Sequence, residues 1–248
     1  MGPRIRALHC AANNVEFSRL RKNWENLGRN DPLWAIVADH PETGHQWDIA
    51  EFFETGVGAV NGFAEEMAAH GVKLAHDSAL DFGCGYGRLT QALARSFTEV
   101  TGVDFAESML QGARQHNRHV DRARYVYNDR LDLHVFQDAS FDFVLSVLVL
   151  QHMRQEYQSG YLCEFIRVLR PGGVLYVQFA TVLEEGYQLS LAPSEQSDDE
   201  AFIELHGMPE PVARAALENA GAEIEYEVAD GWAGAEWESM HLAARRRY

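Results

Sequence analysis

Three short stretches of the 248-residue chain carry residue types whose spacing could do chemistry. The first is Leu80-Asp81-Phe82-Gly83-Cys84-Gly85-Tyr86-Gly87-Arg88. Glycines at alternate positions let a backbone approach a ligand closely, and the helix start that follows offers free N–H groups. A glycine-rich turn without a ligand has a similar composition, but the setting between a buried strand and a helix is specific. The dinucleotide fingerprint spaces its glycines G-x-G-x-x-G. Here they stand at 83, 85 and 87, and position 88 is Arg, which disfavours a nicotinamide dehydrogenase. The second stretch is Val103-Asp104. An acid at a strand end can accept bonds from both ribose hydroxyls of a nucleoside cofactor, whereas before a helix it can act as an N-cap. The third is Gln151-His152, just past a buried strand, at the edge where open α/β sheets bind ligands. His152 there is either a general base or a capping, cofactor-shielding side chain. Gln151 can line the same pocket, and His206 is a further pocket candidate.

The elements that must position these residues follow from periodicity. From residue 78 onward, strands and helices alternate: Ala79–Phe82, Glu99–Val103, Arg124–Tyr127 and Phe141–Leu148 as strands, and Arg88–Arg95, Ala106–His116 and Glu156–Leu169 as helices. Pro171-Gly172-Gly173 turns the chain into a strand over Val174–Phe179. Phe141–Leu148 is continuously apolar, the signature of a strand buried on both faces. This rhythm predicts a doubly wound α/β fold with a mostly parallel sheet. A helix near Pro211–Ala220 and two late strands, Ala222–Val228 and Met240–Ala244, predict an antiparallel C-terminal edge.

The region before residue 72 reads as a separate helical segment, and 72–248 as the main domain. Phe17, Leu20, Trp24 and Leu27 share one helical face within Val15–Leu27. Asp31-Pro32 breaks the chain, and Pro41–Gly44 is a turn signal. Trp47–Ala69 is helical with a break expected at Gly56 and Gly58, a stripe of Val60, Phe63 and Met67, and a stop at Gly71. The acidic run from Glu195 to Glu204 is expected to be a solvated loop, or one that covers the site.

Lys and Arg number 21 against 37 Asp and Glu, a net charge of −16. So acidic a chain repels nucleic-acid backbones and anionic lipid. Three widely spaced cysteines, Cys10, Cys84 and Cys163, form neither a zinc motif nor a disulfide framework and fit reduced thiols in the cytoplasm. The first residues lack the apolar run of a signal peptide, and no apolar run approaches the ~20 residues of a membrane span.

The G-x-G-x-G turn with its preceding acid, together with Val103-Asp104, resembles the first motifs of class I S-adenosylmethionine-dependent methyltransferases of small molecules. Ala139-Ser140-Phe141-Asp142-Phe143-Val144 and Arg167-Val168-Leu169-Arg170-Pro171-Gly172-Gly173 extend the resemblance over about 100 residues. It implies a Rossmann-like seven-stranded sheet; it hardly covers residues 1–45, and the aromatic content of 1–71 separately suggests an N-terminal helical lid. It places Asp81, Gly83, Gly85, Gly87 and Arg88 by the methionine portion and Asp104 on the ribose. Asn128 or Asp129 would hold the adenine, with Phe105, Met109 and Leu148 around the cofactor. Asn128-Asp129-Arg130-Leu131-Asp132-Leu133 departs from the commoner Gly-Asp-Ala, so which of Asn128 and Asp129 makes the contact stays open. No Asn-Pro-Pro-Tyr follows the fourth strand and no Asp-Asn follows the fifth, which sets aside DNA or glutamine amino-methylation and metal-dependent catechol chemistry. The acceptor is expected to be a small molecule, a hydroxyl of a natural product or sugar, with an N-methyl acceptor or a non-catalytic cofactor-binding paralogue as alternatives. Trp24, Trp34 and Phe53 are candidate acceptor-pocket aromatics, or else packing residues. A monomer or homodimer is expected.

Overall fold

A computed structural model describes residues 3–37, 47–181, 204–234 and 237–248, with side chains from residue 16 onward. The Pro41–Gly44 turn and the acidic run up to residue 203 lie outside the described residues.

Seven strands form one sheet in the order β3-β2-β1-β4-β5-β7-β6. β1 (Ser78–Phe82), β2 (Glu99–Asp104), β3 (Ala123–Tyr127), β4 (Phe141–Ser146) and β5 (Leu169–Ala180) run parallel. β7 (Ser239–Arg246) lies antiparallel between β5 and β6 (Ala222–Asp230). The chain moves outward from β1 to β3 and then returns to β4, so the order reverses between β1 and β4. A crevice opens outside the carboxyl ends of strands at such a reversal.

Alternation along β1 sorts the core. Leu80 and Phe82 face Tyr161, Phe165 and Leu217, on α6 (Gln155–Val168) and α7 (Glu210–Asn219). Ala79 faces the other layer with Leu93 of α4 (Arg88–Leu93), and with Phe63 and Met67 of α3 (Ile49–Ala69). Asp81 falls on this second face, which turns its carboxylate toward α4. The helix α1 (Pro3–Asn30) packs on α5 (Glu107–Gln115), with Leu27, Ala106 and Met109 in contact. Burying each such large apolar side chain contributes about 1.5–3 kcal/mol, so these interfaces fix where α1 sits.

Several local expectations are corrected. α1 starts well before Val15 and ends at Asn30. Asp31-Pro32 does break it, but Asp31 then caps a second short helix, α2 (Pro32–Ile36), by accepting the Trp34 N–H at 3.4 Å with Pro32 at its start. α3 runs unbroken through Gly56 and Gly58. A Cβ on Gly56 would meet the Arg88 carbonyl oxygen at 2.5 Å, so this glycine serves a close crossing with α4 rather than a break. β4 stops at Ser146, because Leu148 takes φ +59 and turns the chain. Pro171-Gly172-Gly173 does not precede β5 but lies within it, as a bulge: pairing with β4 jumps from Phe141↔Leu169 to Phe143↔Val174. No described helix is long and apolar enough to cross a membrane.

Candidate active site

The carboxyl ends of β1, β2 and β4 hold the chemistry, and the glycine turn binds them together. Gly83 has φ +70, and a Cβ there would meet Val149 at 2.4 Å, so only glycine lets the turns after β1 and β4 interlock. The Gly83 and Cys84 N–H groups donate to the Val103 carbonyl at 2.9 and 3.1 Å. Asp104 then clamps the turn. Its Oδ2 accepts the Gly85 N–H at 2.9 Å and its Oδ1 accepts the Ala106 N–H at 2.8 Å. Asp104 is not the N-cap of α5, which is Ala106 with no side-chain cap bond; its carboxylate instead ties the approach to α5 to the glycine turn. Burial pushes its pKa up, and the backbone N–H groups of Ala106, Gly85 and Phe105 oppose this. Asp81 accepts the Thr90 hydroxyl at 2.6 Å, and burial raises its pKa to about 6 against that bond and the Arg88 charge. Burial also raises the Cys84 thiol well above its ordinary range, which leaves it protonated and inert.

A cavity of about 440 Å³ opens above this turn, well within the range of small-molecule sites. Of the residues singled out from sequence, it brings together Asp81, Gly83, Gly85, Arg88, Asp104, Phe105, Met109 and Leu148, with Trp24, Gln151 and His152. Others stand apart from its lining. Gly87 starts α4 with φ +83, beneath the Tyr125 ring. Asn128 is buried, but its side chain donates to the Asp132 carbonyl at 2.7 Å. Asp129 is turned outward, 3.2 Å from Arg21 of α1. Trp34 is not among the lining residues, although its neighbours Ala35, Ile36 and Val37 are. Phe53 is buried against Phe52, with the Arg118 guanidinium 5.9 Å from its ring. His206 pairs with Glu204 at 3.1 Å.

His152 is 9% exposed, edge-on to Trp24 at 5.1 Å, and its Nδ1 lies 2.8 Å from the Glu204 carbonyl. A carbonyl only accepts, so Nδ1 donates. Burial lowers the His152 pKa to about 4, against the carbonyls of Glu204 and Leu148, so the ring is neutral near pH 7. Residues 204–208 strap over this end: His206 N–H donates to the Gln151 carbonyl at 2.6 Å and Met208 N–H to Ala180 at 2.9 Å.

The sequence reading missed Ile36, Val37, Leu205 and the Trp232-Ala233-Gly234 tip. One signal for the last was available. Ala180 pairs with Ser239, and Ser239 with Asp230, so an antiparallel hairpin added after β5 must return its β6–β7 loop to the ligand edge. Trp232 is held there from behind. It stacks on His241 at 4.7 Å, and His241 bridges Asp230 at 2.8 Å and Glu66 at 2.6 Å. Burial opposes charge on His241, but the two carboxylates outweigh it and raise its pKa. Among the described residues, no cluster of His, Cys, Asp and Glu is arranged to hold a metal.

Residues 80–177 match the family described as "Methyltransferase domain". A sterol 24-C-methyltransferase of Eremothecium gossypii is 32% identical over 241 residues, covering 86% of this chain and 63% of that protein. A demethylmenaquinone methyltransferase of Tropheryma whipplei is 38% identical over 104 residues, covering 42% and 41%. The chain thus spans less than two thirds of the length of these relatives. Among solved structures, magnesium protoporphyrin IX methyltransferase of Synechocystis PCC 6803, with bound S-adenosylhomocysteine, has a TM-score of 0.58 at 21% identity over 86% of this chain and 93% of that one. The 4+2 cyclase SpnF has a TM-score of 0.62 at 17% identity, covering 90% and 93%. The matched span, the sheet order and the solved folds agree: residues 80–177 of this chain match a methyltransferase domain, on a sheet of the fold that these solved proteins share.

Proposed function

We propose that the protein transfers a methyl group from S-adenosylmethionine to a small, ring-bearing or apolar acceptor. The observation that carries this is one cavity joining the clamped glycine turn to an apolar, aromatic far end. Arg88 lines the cavity with its Nε buried and unpartnered, while one of its terminal nitrogens reaches Thr55 at 3.3 Å. Burial lowers its pKa, against the nearby Asp81 carboxylate. That fits a cofactor carboxylate, which Arg88 would receive beside the Gly83–Gly85 backbone. Asp104 has lone pairs left for ribose hydroxyls, and Phe105 and Met109 offer apolar contact to the nucleoside.

The cofactor supplies an electrophilic methyl on a sulfonium. The chain's own part is alignment and exclusion of water. Trp24, Ile36 and Val37 come from the segment before residue 72, so that segment, taken as a lid over the main domain, walls the cavity: Ile36 packs on Gly85 and Trp24 on His152. His152, with a pKa of about 4, is a weak proton acceptor, and its burial favours a pocket-shaping role. The named acceptors of two relatives, a sterol methylated on carbon and demethylmenaquinone, support a small-molecule acceptor here; a hydroxyl is the acceptor atom we favour over nitrogen for this chain. A second reading, cofactor binding without methyl transfer, draws support from that weak base and from a cyclase sharing the fold.

Calorimetry should show saturable binding of S-adenosylmethionine and S-adenosylhomocysteine; preference for NAD sinks the reading. Incubation with methyl-labelled cofactor and candidate acceptors separates the two readings: labelled product supports transfer, and binding without product across hydroxyl and amine acceptors supports the second.

A further inference from the structure

Two carboxamides lie end to end beneath the cavity: Gln178 on β5, fully buried, and Gln151, which lines the cavity, in the 3-10 turn Leu150–His152. A carboxamide can be turned end for end with little change in shape, so its polarity must be argued from its partners. Here a backbone group decides it. The Leu148 N–H lies 3.0 Å from the Gln178 side chain, and an N–H can only donate, so that atom is Gln178 Oε1. Gln178 then presents its NH2 to Gln151 at 3.2 Å, and the facing atom must be Gln151 Oε1. Leu148 is fixed at φ +59 by the turn after β4, so its N–H cannot swing away to release the chain of donors. What remains is Gln151 Nε2. Among the described residues it has no hydrogen-bond partner, and it is not sealed from solvent as the buried unpaired atoms are.

We propose that Gln151 is a one-way hydrogen-bond donor into the acceptor pocket, held so by Gln178 as its positioning residue. The acceptor presents an oxygen with free lone pairs at this point, such as a carbonyl, enolate or phenolate, and not a protonated amine. This rests on the methyl-transfer reading and narrows its acceptor class. An ammonium offers only donors and would meet two more on Gln151, whereas an oxygen, above all one sharing negative charge, is met by a donor already aimed.

The test uses protein saturated with S-adenosylhomocysteine and three probes of one shape: 2-acetylnaphthalene, 2-ethylnaphthalene and 2-naphthylmethylammonium, titrated by tryptophan fluorescence. The ketone should bind about fivefold tighter than the hydrocarbon, the worth of one hydrogen bond, and the ammonium weakest. Gln151→Met should equalise ketone and hydrocarbon, and Gln151→Glu should favour the ammonium. Gln178→Met, which frees the Gln151 amide to turn, should cut the ketone's advantage below about twofold while leaving hydrocarbon affinity in place. A ketone advantage that survives Gln151→Met, a parent that prefers the ammonium, or no binding of any probe overturns the proposal. Failure of S-adenosylhomocysteine to saturate sinks the methyl-transfer reading instead. The carboxamide polarity is then read in the free protein by side-chain amide exchange: slow for Gln178 NH2 and fast for Gln151 NH2 supports it, and the reverse order refutes it.

Discussion

At one end of the cavity Gly83, Gly85, Arg88 and Asp104 come from a single span of chain, anchored to adjacent parallel strands and locked by backbone bonds. Elsewhere on its wall Trp24, Leu205 and Trp232 arrive from three separate segments, held by stacking, the strap and one hairpin. The contrast separates two kinds of construction. The cofactor end is local and rigid because a glycine turn must fit both its neighbours and its ligand. The acceptor end is an assembly of side chains whose identities can change without moving the sheet.

The largest effect expected from breaking this contrast is at Asp104. Asp104→Ala removes the acceptor of two backbone N–H groups, each such bond to a charged group being worth about 1.5–3 kcal/mol. S-adenosylhomocysteine affinity should fall at least about 100-fold by calorimetry, and the protein should lose about 2–4 kcal/mol of stability in urea. An unchanged affinity would show that the turn, and not the carboxylate, holds the cofactor.

The two ends should also respond oppositely to pH. His152, at the acceptor end, has a folded pKa of about 4 against an ordinary 6.5. The unfolded chain binds the extra proton in that window, so stability falls as pH drops from 6.5 toward 4, by up to about 3 kcal/mol. Asp81, at the cofactor end, is raised to about 6 from 3.8. The folded state holds the extra proton there, so its contribution is lost as pH rises from 3.8 through 6, by a similar amount. The parent should therefore show a shallow stability profile. His152→Gln should unmask the loss on raising pH, and Asp81→Asn the loss on lowering it; equal slopes in both variants would dissolve the distinction.

Smaller effects fall on one end alone. Trp232→Ala should weaken 2-acetylnaphthalene about tenfold and S-adenosylhomocysteine less than twofold, by the titrations above. Smallest is a change remote from both ends. Gly58 lies inside α3 with nothing within 4 Å of a built Cβ, so Gly58→Ala should stabilise the protein by about 0.5–1 kcal/mol in urea without affecting binding.

Legibility followed the same division. The alternation of apolar runs with turns gave β1 through β5 and the antiparallel edge, because a strand buried on both faces has a composition no loop shares. Asp81, Gly83, Gly85 and Asp104 were readable since strand ends and glycine spacing are properties of contiguous sequence. Asn128 and Asp129 were not, because whether a residue past β3 turns toward the cavity depends on Asp132 and Arg21, which compete for its side chain. Phe53 and Trp34 lie outside the cavity lining for another reason. Aromatic content says that a residue will be buried, but not against what; Phe53 found Phe52 and Arg118 before any ligand. Gly56 was misread as a break, since a glycine admitting a neighbouring helix looks identical in sequence to one ending its own.

The hairpin of β6 and β7 has a consequence for descent. Its two strands are paired from Ala222↔Arg246 to Asp230↔Ser239, so the segment between Asp230 and Ser239 closes a ladder already complete without it. Insertions in such a tip carry little entropic penalty, and their length can drift between lineages while the ladder stays in register. Because β7 enters beside β5 at the ligand edge, each change in the tip alters the shape of the pocket wall directly. The fold thereby separates what selection can vary from what it must keep: a few residues around Trp232 can be rewritten to reshape the pocket wall, on a scaffold whose glycine turn and sheet order stay as they are.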